Sequence, residues 1–145
     1  MTTDEKWAFL LALDDEYLLG GVMLSEWTTF LVREVDTAFC NHANLTAILA
    51  AQSAIECHLR YENSGFHAGS RLGFYELIEQ SPFEASLKTD MHKLRRFRNT
   101  WVHVNDPYED QHLLSDPEIH ENEIEEVALF SMRLIRRALY LEQCI

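Results

Sequence analysis

The chain has 145 residues, 47% of them hydrophobic and 11% aromatic, which is enough for a core without disulfide or metal and too apolar for a disordered chain. Lys and Arg total 12 against 24 Asp and Glu, a formal net charge of −12; that balance excludes broad, sequence-blind coating of nucleic acid and opposes contact with an anionic membrane. Any contact with a polyanion must pass through a local basic patch.

The start, Met1-Thr2-Thr3-Asp4-Glu5, is acidic and lacks the basic segment and apolar run of a signal peptide. Acidic residues and Gln interrupt every apolar run before it reaches the roughly 20 residues of a membrane span. A cytoplasmic chain with no membrane contact is expected. Only five Gly and three Pro occur, too few for the regular turns of an all-β protein. Apolar residues recur instead at three- and four-residue spacing, which predicts an all-α chain forming one domain over residues 1–145.

The first helix is predicted from about Thr3 to Leu19, with Trp7, Leu10, Leu11 and Leu18 on related faces and Gly20-Gly21 as its stop. The second runs from Ser25, a good N-cap, to about Cys40, with Phe30, Leu31, Val35 and Phe39 as its apolar set. Asn41-His42 breaks it. The third spans about Asn44 to Asn63, with Ile48, Leu49, Ile55 and Leu59 on a wide apolar face. After a break from Asn63 to Gly69, a short helix covers about Leu72 to Gln80. The fifth starts after Ser81-Pro82, with Pro82 acceptable at a first turn; its stripe is Leu87, Met91, Leu94 and Val102. The segment Asp106 to Pro117 reads as a break, and the last helix runs from about Glu121 to Cys144. Short connections make neighbours antiparallel, so the fold class is an antiparallel helical bundle of about five or six helices.

Cys40, Cys57 and Cys144 are unpatterned, with no CxxC pair; they read as buried or partly buried thiols rather than a zinc site. Charge is unevenly spread. Lys88, Lys93, Arg95, Arg96 and Arg98 gather five of the 12 cations, and Arg133, Arg136 and Arg137 add three on the last helix. Asp106 to Glu126 holds nine carboxylates and no Lys or Arg. A basic region in an acidic body is expected, although such a stretch can equally be a solvated face.

Three polar residues stand inside apolar stripes. Gln52 and Glu56 lie within the stripe of the third helix, and a carboxylate there needs a cation, a proton or a cleft. Arg98 continues the Leu87, Met91, Leu94 stripe, and its forked guanidinium is a natural partner for Glu56. Asn99 and His103, four apart, share a helix face. Pro107 places His103 near a helix end. His67, His112 and His120 read as exposed and receive no role.

Arg98-Asn99-Thr100-Trp101-Val102-His103 resembles the R-N-x-x-x-H form of the Rx4–6H signature of HEPN domains. The stretch Ala47 to Arg60 is similar to the helix that carries a polar or acidic residue near that motif in many members. The resemblance implies a helical bundle and, in many members, a metal-independent endoribonuclease of toxin or defence type that dimerises so that two motifs share a cleft. It implies that Arg98 binds the scissile phosphate, His103 exchanges a proton with the 2′-hydroxyl or the leaving oxygen, and Asn99 orients one of them. Gln52 and Glu56 would support them, and Arg95 and Arg96 would bind substrate. It further implies a homodimer, RNA as substrate, and a separate antitoxin or regulator protein, with no cofactor and no metal.

Elementary chemistry agrees with these residue types. RNA carries its own nucleophile, the 2′-hydroxyl, so cleavage needs proton transfer near neutrality and stabilisation of phosphate charge. His serves the first and Arg the second. Two other readings stay open: a non-catalytic HEPN-like module that binds a nucleotide or a protein, and a structural dimer in which Arg98 and Glu56 only set packing.

Overall fold

The computed structural model describes residues 1–63, 72–104, 106–108 and 113–145. His67 and His112 lie outside the described residues, as do parts of the breaks expected at 63–69 and 106–117. Among the described residues there are six helices: α1 (Thr3–Tyr17), α2 (Glu26–Cys40), α3 (Asn44–Asn63), α4 (Phe74–Gln80), α5 (Ala85–Val102) and α6 (Pro117–Leu139). The chain is an all-α helical bundle. None of the described helices is long and apolar enough to cross a membrane.

Local chemistry sets several helix ends. Thr2 and Glu5 form a reciprocal capping box, with Glu5 N–H donating to Thr2 Oγ1 and Thr2 N–H to Glu5 Oε2. Ser25 caps α2 by accepting from the Thr28 N–H at 3.1 Å. The turn from α2 to α3 is a Schellman closure: His42 N–H bonds Phe39 O and Ala43 N–H bonds Ala38 O, with His42 at φ 63°. Both ends of α6 differ from expectation, since it begins at Pro117 rather than near Glu121 and stops at Leu139 rather than near Cys144. Pro82 precedes α5, because Phe83 is buried in the core and holds the chain extended until Glu84, the N-cap. Pro117 is the first residue of α6, where its missing N–H costs nothing.

The central helix is α3, packed against α2, α4, α5 and α6. Its buried face, Ala47, Ile48, Ala51, Ile55 and Leu59, is the middle of the core. Leu10 and Leu13 of α1, Val35 and Phe39 of α2, Leu87, Met91 and Leu94 of α5, and Met132 and Ile135 of α6 close on it. Trp7, Leu11, Leu18, Phe30 and Val102, expected in apolar stripes, are instead exposed. Cys40 is buried and Cys57 half-buried, as expected, but Cys144 is exposed. Burial pushes the Cys40 thiol pKa up.

Two cations are buried at helix junctions. Lys6 is fully buried; its Nζ donates to Phe39 O at 3.1 Å and Asn44 Oδ1 at 2.6 Å, lies 3.5 Å from Glu125, and sits over the Phe39 ring. Arg136 on α6 is 2% exposed. It donates two 2.9 Å bonds to the Asp36 carboxylate of α2 and one 3.0 Å bond to Asp14 of α1. The Tyr140 hydroxyl donates to the same Asp14 oxygen at 3.1 Å. Burial alone would lower the Arg136 pKa, but the bonds and charges of Asp36 and Asp14 outweigh it and raise it. The Tyr140 phenol is pushed up to about 12, first by burial and then by the Asp14 charge.

Candidate active site

The motif occupies the C-terminal end of α5. Leu87, Met91 and Leu94 are its buried face, and Arg98 continues that face to the point where the helix leaves the core. Arg98 and Asn99 are accordingly half-buried and His103 is exposed. Phe97 packs against the core, and its ring lies 6.4 Å from that of Trp101. Phe97 anchors the last turns that present the motif. His103 is the C-cap; its N–H bonds Asn99 O at 2.9 Å.

Arg98 Nη1 donates to Asn99 Oδ1 at 3.3 Å. The structure therefore brings two motif residues into contact, the cation and the amide beside it. It does not bring Arg98 to Glu56. Glu56 is half-buried and accepts from Arg60 Nη2 at 2.7 Å, one turn along its own helix. The expected Arg98–Glu56 pair is thus replaced by a local one, because an i, i+4 cation is available without any rearrangement of helices. Gln52 is 4% exposed, and its Oε1 has no donor among the described residues. A buried amide oxygen without a partner is uncommon.

The cations of α5 and α6 differ sharply. On α6, Arg133 pairs with Glu16 at 3.1 Å, Arg136 with Asp36 and Asp14, and Arg137 with Asp90 at 2.8 Å. The expectation that the last helix adds to a free basic region is therefore corrected; its charges are paired with carboxylates of α1, α2 and α5. Lys93 lies 3.5 Å from Asp90, and Lys88 bonds Glu79 O. Among the described residues, no carboxylate pairs with Arg95, Arg96 or Arg98. Arg96 is exposed.

Sequence reasoning missed the neighbours of Arg95. Its Nε donates to His92 Nδ1 at 3.2 Å, and its guanidinium lies 5.3 Å from the centre of the Tyr75 ring. His92 Nε2 is 2.7 Å from Glu79 Oε1, and the Tyr75 and His92 rings are 4.9 Å apart. Since Nδ1 accepts from Arg95, the proton sits on Nε2 and goes to Glu79. The i, i+3 spacing of His92 and Arg95 was a readable signal; Tyr75 and Glu79 come from α4 and were not. The cluster holds Arg95 in place beside the exposed face of Tyr75.

Comparison with protein-family models, with curated proteins and with solved structures returns no match to this chain.

Proposed function

We propose that this protein is a HEPN-type, metal-independent endoribonuclease of toxin or defence type, acting as a homodimer through the ends of two α5 helices. The observation that carries the reading is the set of arginines that have no carboxylate partner among the described residues. In a chain with 24 acids and 12 bases, pairing is the easy outcome for a cation, and it is what Arg133, Arg136 and Arg137 adopt. Arg95, Arg96 and Arg98 keep donors for another anion, and a phosphodiester matches their geometry.

In the reaction, the RNA 2′-hydroxyl attacks the adjacent phosphorus, the bond to the 5′-oxygen breaks, and a 2′,3′-cyclic phosphate forms. Arg98 donates to the non-bridging oxygens as charge grows on them. Asn99, which already contacts Arg98, holds its orientation. His103 exchanges the proton with the attacking or leaving oxygen. Arg95 and Arg96 hold neighbouring phosphates. Gln52 and Glu56 support from α3: the unpartnered Gln52 oxygen is an acceptor in reserve, and Glu56 can leave Arg60 when a second copy supplies another cation.

One observation favours the non-catalytic module as a second reading. The His103 ring has no hydrogen-bond partner among the described residues of one protomer, and a general base is ordinarily oriented by a neighbour. A second protomer would supply that neighbour in the catalytic reading; a binding module would not need it.

The test is cleavage of total RNA in excess chelator. Wild type is expected to leave 2′,3′-cyclic phosphate ends, and Arg98→Ala and His103→Ala are expected to lose at least about a hundredfold in rate with unchanged melting. Equal cleavage by both variants overturns the assignment. Absence of cleavage in wild type, with a melting temperature raised by nucleotide or protein partner, establishes the binding module instead.

A further inference from the structure

A cavity of about 380 Å³ lies at the end of the bundle where α3, the α4–α5 connection, the last turn of α6 and the C-terminal tail meet. None of Arg98, Asn99 and His103 lines it, so the inference is independent of the proposed nuclease site. Leu59, Phe83 and Leu139 form its apolar part, and His58, Glu62 and Glu142 its polar part. The volume is in the range of small-molecule sites.

The wall formed by the tail is built rather than incidental. Gly21 and Cys144 exchange two backbone hydrogen bonds, of 2.7 and 2.8 Å. The Gln143 carboxamide accepts from the Leu19 and Gly20 N–H groups and donates to the Tyr17 and Tyr140 carbonyls. A Cβ at Gly20 would collide with the Cys144 carbonyl, so only glycine admits the tail this closely.

His58 is 8% exposed, and its Nδ1 is buried without a partner. Neither ring nitrogen has a hydrogen bond among the described residues. Burial lowers its pKa, while the charges of Glu62 and Glu142 oppose that shift. The imidazole is therefore neutral near pH 7, with unspent hydrogen-bonding capacity. An unfilled packing void is lined by apolar groups and stays dry; this one brings an imidazole and two carboxylates together. No Lys or Arg among the described residues lines it. Metal binding is disfavoured, since no three His, Cys, Asp or Glu side chains among the described residues are arranged as ligands.

We propose that this cavity binds a small organic cation, an amine on an apolar body. Its ammonium is drawn to the exposed Glu62 and Glu142 carboxylates at the rim, and its apolar part rests on Leu59, Phe83 and Leu139 beside His58. The two carboxylates exclude anions of the same shape.

Three probes of one shape separate the alternatives: phenethylamine, phenethyl alcohol and 3-phenylpropionate, titrated into the full chain by calorimetry and by NMR of the His58 ring proton. Phenethylamine is expected to bind at least tenfold more tightly than either other probe and to shift the His58 signal. The double variant Glu62→Gln, Glu142→Gln is expected to lose that preference while retaining its melting temperature, since both side chains are exposed. His58→Leu is expected to weaken the amine further. Equal binding of the three probes, preference for the carboxylate, or no binding of any probe overturns the proposal.

Discussion

Arg98 and Arg136 are both arginines set into apolar stripes, and the difference between them is their partners. Arg136 is enclosed with two carboxylates, from α1 and α2. Removing it leaves Asp14 and Asp36 facing each other without a cation. Arg136→Met is therefore expected to cost about 3–5 kcal/mol, read by urea denaturation, whereas replacing Asp14, Asp36 and Arg136 together with apolar residues costs less. The Arg98 side chain is half-buried and meets no carboxylate among the described residues, so its replacement should change stability little. Tyr140 adds a pH dependence. Its folded pKa, about 12, lies above the ordinary 10, so the native state holds the phenol proton more tightly than the unfolded state. That contribution is full below pH 10 and is lost as pH rises toward 12. Between pH 9 and pH 12, wild type should lose stability more steeply than Tyr140→Phe in parallel denaturation curves. None of this was readable from Arg136 in sequence, because Asp14 and Asp36 lie 122 and 100 residues away along the chain.

Elements were legible where the signal is local. Ser25 marks a helix start through short-range chemistry, and Cys40 and Asn63 end their helices where the periodicity stops. Pro82 and Pro117 took different places because proline permits a helix start without requiring one. Phe83 prefers the core to a helical turn at the first, and Pro117 takes the first turn at the second. The site divided the same way. The Arg98, Asn99 and His103 spacing and the half-burial of Arg98 follow from the periodicity of α5. The Glu56 partner did not, because the i, i+4 neighbour Arg60 competes with a distant helix. The caps test this scale. Ser25→Ala removes the bond to the Thr28 N–H and should cost about 1 kcal/mol. Glu84, the N-cap of α5, makes no side-chain bond to that helix's backbone; Glu84→Ser should add about 0.5–1 kcal/mol. Thermal melts of the two single variants should move in opposite directions.

At the scale of the whole molecule, the net charge of −12 is compatible with the proposed polyanionic substrate because of where the cations are spent. Those of α6 close the bundle by pairing with α1, α2 and α5. Those of the second half of α5 meet no carboxylate among the described residues. In the proposed dimer, a twofold axis sets the ends of two α5 helices face to face. That pairing forms two cleavage sites, each taking Arg98 from one protomer and His103 from the other, and the RNA phosphates offset the repulsion between the two basic ends. The most direct measurement is RNA cleavage in chelator by a mixture of Arg98→Ala and His103→Ala chains, each assayed alone as well. A composite cleft predicts that each variant is inactive by itself and that random mixing rebuilds one intact site in each mixed dimer, restoring about a quarter of the wild-type rate. No recovery on mixing, or full cleavage by either variant alone, would contradict it.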